Sequence, residues 1–231
     1  MPNKKAPSRS ASIYLRDWVY GGIDGAVTTF AVVAGVAGAS LSTSIVLILG
    51  FANLVADGFS MAAGSYSSSR TEGEQYDRIL AETHRRIHSD PESQKAVLGR
   101  ALAAKGFGGR QLDEAVETIT ANDIDWANTL MIEVDGLAPI LRRPMLAALN
   151  TYGSFLVFGI VPLLPYLFSL GFLASSIMTA IAFFAIGSLK SLWTGRTWWR
   201  SGLGTLAIGA LAAAIAYLVG YGLQSLVGSA P

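Results

Sequence analysis

Asp24 and Asp57 are the only acidic residues deep inside the long apolar stretches of this chain. A carboxylate at the centre of a bilayer costs at least about 2.5–3.5 kcal/mol, so by default it marks an ion or proton path. Asn53, Asp57 and Met61 are spaced four apart, which puts an amide oxygen, a carboxylate and a thioether on one helix face. Hard oxygen beside one soft sulfur suits a borderline divalent ion such as Fe²⁺ better than Mg²⁺ or Ca²⁺, which take oxygen alone. Around the other carboxylate the sequence runs Gly21-Gly22-Ile23-Asp24-Gly25, with Thr28 one turn on as a further oxygen ligand. The glycines permit close helix approach or local unwinding. Taken singly, Met61 reads as core filler, Asn53 as an interhelical hydrogen bond and Asp57 as a cap at a kink. Taken together they read as one ion site. Two carboxylates close together in low dielectric titrate as a coupled unit, which is what a proton-coupled site needs.

The elements that carry these residues are membrane spans. The chain is 52% hydrophobic and 14% charged, against about 25% charged in an average soluble domain. Hydropathy gives five apolar segments, roughly 15–39, 43–67, 145–169, 172–193 and 202–227, and about 20 residues suffice to cross the hydrocarbon core. The seventeen Lys and Arg residues fall before or at the very start of the first segment (Arg16), between the second and third, and around the link between the fourth and fifth. Five alternating spans put all three regions on one face, the cytoplasmic face by the positive-inside rule. The expected fold is therefore an all-α membrane protein. It has five transmembrane helices, a cytoplasmic N-terminus and a small helical cytoplasmic domain between spans two and three. The expected divisions are a disordered basic tail (1–14), spans one and two (15–69), the cytoplasmic domain (70–143) and spans three to five (144–231). Antiparallel pairing of the first two spans sets Asp24 and Asp57 at similar depth. Pro162 and Pro165 are expected to kink span three. The Gly- and Ala-rich span five is expected to pack closely. Trp193, Trp198 and Trp199 with Arg196 and Arg200 read as interfacial anchors.

Segment 70–143 holds thirteen of the sixteen acidic residues. Its pattern predicts a helix continuing span two to residue 88. Ser89-Asp90-Pro91-Glu92 has the form of a capping box and starts a helix to about Lys105, closed by Gly106. Further helices are predicted over 110–121 and 123–135. His84 and His88 have a metal-holding spacing, and Glu74 and Asp77 lie on the same extension. A solvated face with routine charge pairs is the simpler reading there. Glu114, Glu117, Asp123 and Asp125 read as surface charge. Cysteine is absent, which excludes disulfides and thiolate metal sites. So is the phosphate-binding Gly-x4-Gly-Lys-Ser/Thr loop, which argues against transport driven by nucleotide hydrolysis. The spans hold no histidine and no evident pairing of nucleophile with base, so no enzymatic activity is expected. No nucleic-acid partner is expected either.

The motif Asp24-Gly25 with Thr28-Thr29-Phe30-Ala31, followed by Asn53-Leu54-Val55-Ala56-Asp57-Gly58-Phe59-Ser60-Met61-Ala62-Ala63-Gly64, resembles the vacuolar iron transporter family, and its bacterial members most. The resemblance covers nearly the whole chain. It implies a homodimeric divalent metal/proton antiporter that moves Fe²⁺, often Mn²⁺, out of the cytosol along the dimer axis. It matches Asp24 to the transport aspartate and Met61 to the pore methionine. Asn53 stands where plant members have a pore glutamate, and Asp57 is expected to restore that carboxylate. In the cytoplasmic domain, Thr83 and Arg86 stand where metal-ligating glutamates are expected, and an arginine does not ligate a cation. Met131, Glu133 and Asp135 retain thioether and acidic character. The expected function is export of Fe²⁺, and of Mn²⁺ second, through Asp24, Asp57 and Met61, with protons as the coupling ion and no resident cofactor. A membrane protein that senses metal or recruits a partner without transporting is the alternative. The resemblance favours a bacterial plasma membrane, with the vacuolar membrane as the eukaryotic equivalent.

Overall fold

A computed structural model describes residues 9–139 and 142–227. The described residues form ten helices and no strand. They divide into two compact units, one built from residues up to Ser67 and from Arg142 on, the other from Ser68–Leu141.

The first unit contains α1 (Arg9–Gly38), the first half of α2 (Thr43–Ser89), α6 (Pro144–Gly159), α7 (Leu164–Leu167), α8 (Gly171–Leu189), α9 (Ser191–Thr194) and α10 (Trp198–Val227). Among the described residues, four helical stretches are long and apolar enough to cross a membrane: Tyr14–Gly38, Thr43–Ser89, Gly171–Thr194 and Trp198–Leu226. Helix α1 begins at Arg9, inside the segment expected to be a tail; the rest of that segment, residues 1–8, lies outside the described residues.

The third expected span is two helices. Pro162 lacks an N–H and its ring crowds the carbonyl four residues back, so α6 ends at Gly159. Pro165 then sits in the first turn of α7, where a missing N–H costs nothing. The carbonyl of Pro162 accepts a 2.6 Å hydrogen bond from the buried Ser175 hydroxyl on α8. A lipid environment demands such internal satisfaction of every freed backbone group.

Helix α1 packs on α6, α8 and α10. Its core neighbours include Phe155, Leu163 and Phe183, all almost fully buried. Contact is close enough to require glycine. A Cβ on Gly25 would lie 2.4 Å from the Phe155 carbonyl oxygen, and one on Gly220 of α10 would lie 2.0 Å from that of Gly35. Two tight links leave non-glycine residues in the left-handed region, Ser40 at φ 54° and Ser169 at φ 56°. Each is closed by a backbone hydrogen bond spanning five residues, Leu41 N–H to the Val36 oxygen (3.1 Å) and Leu170 N–H to the Pro165 oxygen (2.9 Å). These bonds satisfy carbonyls that a helix end would otherwise leave free.

The second unit contains the rest of α2 with α3 (Pro91–Ala104), α4 (Gly109–Thr120) and α5 (Asp123–Glu133). Helix α2 runs unbroken to Ser89, as the pattern predicts. Asp90, rather than Ser89, caps α3: its carboxylate accepts from the Ser93 N–H at 3.1 Å. Ser89 is still helical, so it cannot serve as a cap. Gly106 follows α3 at φ 98°, which a side chain would resist. Ile87, Leu98, Leu102, Trp126, Ala127 and Leu130 form the core. Leu112, Ala115, Val116 and Ile119, at helical spacing, turn one face of α4 onto it.

Candidate functional site

Helices α1 and α2 bring two of the sequence-predicted residues, Asp24 and Asp57, near each other. Asp24 and Thr28 lie on α1 and Asn53 and Asp57 on α2, all half-buried. The Asp24 and Asp57 carboxylates lie within electrostatic reach of each other. Asn53 donates its amide N–H to Asp57 Oδ2 at 3.5 Å, fixing the carboxylate on the face it shares with Met61. Thr28 donates its hydroxyl to the Asp24 carbonyl at 2.9 Å, which turns its lone pairs to a partner that can donate or ligate. Met61, one turn beyond Asp57, is 39% exposed. The set therefore offers two carboxylates, an amide oxygen, a hydroxyl and a thioether.

The scaffold holds this set from behind. Gly21 and Gly25 let α1 seat against Thr151–Phe155 of α6, and α1 stays helical throughout. The glycines thus serve close approach and not unwinding. Gly58 of α2 lies over Tyr152 and Phe155, so α1 and α2 both rest on one stretch of α6. Thr151 donates its hydroxyl toward Ser65 Oγ of α2 at 3.4 Å. Asp17, two turns before Asp24 on α1, pairs with Arg142, and both side chains are largely buried. Hydropathy passed over that pair because Asp17 sits near a span boundary and Arg142 in a link.

In the second unit the weaker candidates separate. Glu74 pairs with Arg70 at 2.8 Å. It lies about 15 Å along the helix from His84, at a rise of ~1.5 Å per residue. Glu133 pairs with Lys105. Asp135 accepts from the Arg86 guanidinium at 3.2 Å, and the same guanidinium donates to Thr83 Oγ1 at 2.9 Å. Thr83, fully buried, donates to Met131 Sδ at 3.7 Å. Thr83, Arg86, Met131 and Asp135 thus form one connected cluster whose cation is an arginine. His84 Nδ1 and His88 Nε2 both approach Asp123 Oδ2, at 2.9 and 3.7 Å. The sequence marked the two histidines by their spacing but held no signal for Asp123, which comes from a different helix.

A family model described as the VIT family matches residues 15–221. A vacuolar iron transporter of Centaurea cyanus is 33% identical over 218 residues, covering 92% of this chain and 89% of that protein. Vacuolar iron transporter 1 of Oryza sativa subsp. japonica is 32% identical, covering 91% and 86%. Vacuolar iron transporter 1 of Arabidopsis thaliana is also 32% identical, covering 90% and 85%.

Proposed function

Since this chain belongs to the VIT family, we propose that it exports Fe²⁺, and Mn²⁺ as a second substrate, from the cytosol in exchange for protons. The family consists of transporters, not enzymes, and the chain is an integral multi-pass membrane protein. The observation that carries the proposal is the Asp24–Asp57 pair on α1 and α2, with Met61 one turn away. Two acids at one site hold either a divalent ion or protons, so loading the ion expels protons and releasing it readmits them. Asn53 and Thr28 supply neutral oxygens, and the thioether favours a borderline ion over Mg²⁺.

Orientation follows from the distribution of basic residues. The α6–α7 segment, Pro144–Leu167, serves as the third of five crossings despite its break. Five crossings keep every Lys and Arg of the three basic regions on the cytoplasmic face. The insert between spans two and three, residues 70–143, then lies in the cytoplasm. We take the working unit to be a homodimer. Helix α2 leaves Met61 exposed, and a second copy against the face that it shares with Asp57 would enclose the methionine.

The test is metal-specific flux in proteoliposomes, Fe²⁺ and Mn²⁺ separately, with and without an imposed pH gradient, beside Asp24→Asn. Flux that follows the gradient and vanishes in the variant is the expected result. Flux indifferent to the gradient would make the protein a passive channel. Absence of any divalent flux from folded protein would favour the sensing or recruiting role.

A further inference from the structure

We propose that His84, His88 and Asp123 bind one divalent transition-metal ion, at a second site made wholly of insert residues. The three side chains each offer one ligand atom, and these atoms lie within 4.8 Å of one another. Ligands about 2.0–2.2 Å from a tetrahedral ion stand about 3.4 Å apart. The His84 Nδ1 and His88 Nε2 distances to Asp123 Oδ2, 2.9 and 3.7 Å, bracket that value. Only small side-chain movements are needed to admit an ion between them.

Local structure prepares the set. His84 and His88 are one turn apart on α2 with their rings within 19° of parallel, so they present their edges side by side. Asp123 is the first residue of α5, where the helix N-terminus favours an acid. Here Asn122 already fills the cap, its side chain accepting from the Ile124 and Asp125 N–H groups at 2.9 and 3.5 Å. The Asp123 carboxylate is thereby left to the histidines. A simple hydrogen bond would account for His84 alone; the second imidazole converging on the same oxygen is the feature an ion explains.

Two imidazoles and one carboxylate suit Zn²⁺, Fe²⁺ and similar borderline ions. Three protein ligands leave a coordination position for water. Because the ligands come from α2 and α5, a bound ion would tie those two helices together across the insert core of Ile87, Trp126 and Leu130. A bound ion would thus stiffen the insert, whatever ion the membrane unit carries.

The test is titration of the detergent-solubilised full chain with Co²⁺, whose visible absorption reports nitrogen and oxygen ligation at low coordination number, followed by competition with Zn²⁺. Wild type should saturate at one such Co²⁺ per chain, and Zn²⁺ should abolish the band. The band should persist in Asp57→Asn, which separates this site from the transport site. His88→Ala should remove it, and Asp123→Asn should weaken binding at least about tenfold. His88 and Asp123 are both substantially exposed, so these variants should keep wild-type helix content by circular dichroism. A band that survives His88→Ala, a band lost only with Asp57→Asn, or a wild type with none at all would overturn the proposal.

Discussion

Replacing Arg142 with Gln leaves the Asp17 carboxylate buried without its cation. The Asp17 side chain is 12% exposed and that of Arg142 is 27% exposed, so solvent screens the loss only weakly. Removing one partner of a buried pair costs about 3–5 kcal/mol, chiefly by stranding the remaining charge. The partial exposure here places Arg142→Gln near the lower end, about 3 kcal/mol. Among the described residues, Asp17 Oδ2 has no hydrogen-bond partner to soften the effect. At about 2–4 °C per kcal/mol for a chain of this size, the thermal midpoint should fall by roughly 6–12 °C. The assay is thermal unfolding in detergent, followed by circular dichroism, for the single variants Arg142→Gln and Asp17→Asn and for the double variant. Because Asp17→Asn removes the stranded charge, the double variant should be more stable than Arg142→Gln alone. The cycle should show a coupling of at least about 1 kcal/mol. Additive losses would refute the reasoning, since they would mean that Arg142 acts by packing alone.

Three further outcomes are expected. Asp24→Asn and Asp57→Asn keep shape and remove charge, so each should cut metal flux at least about tenfold in proteoliposomes, and wild-type flux in Asp57→Asn would remove that residue from the site. Gly25→Ala drives a Cβ into the Phe155 backbone and should destabilise by about 1–3 kcal/mol; Gly153→Ala, with open space around it, should be neutral or stabilising by up to about 1 kcal/mol, and equal midpoints for the two would contradict the packing described. Thr83→Val removes both the acceptor for Arg86 and the donor to Met131, and should cost about 1–3 kcal/mol in thermal or denaturant unfolding.

Periodicity and punctuation made much of the helical order legible. Pro91 and Gly106 bracket α3 in the sequence as they do in the fold, because first-turn proline and a left-handed glycine are local requirements. The run from Thr43 to Ser89 carries no proline, and it folds as one helix. The two prolines of the third span announced a disturbance but not its form. The break leaves the Pro162 carbonyl to a partner from another helix, the Ser175 hydroxyl on α8, which the local sequence does not announce. The candidate transport set was legible because a carboxylate in an apolar run is costly enough to be conspicuous on its own. The exposed Asp123 carries no such cost, and its meaning appears only once α5 sets it beside two histidines of α2. Arg86 was conspicuous only as a departure from a resembled pattern; its partners, Thr83 beside it and Asp135 on the far side of the insert sequence, came from the fold.

The seating of α1 on α6 also bears on how the chain is made. Gly21 and Gly25 are shaped to receive Thr151–Phe155, which the ribosome produces only after the whole insert. At about 5–20 residues per second, that delay is on the order of ten seconds. During it the first hairpin stands in the bilayer with two acidic residues and an unfilled glycine face, while the insert has ample time to fold on its own core. Final closure of the membrane unit must therefore be a late event in biogenesis. Variants that weaken the Gly25 contact should lengthen the life of the half-built hairpin and expose the nascent chain to quality-control proteases before its synthesis ends.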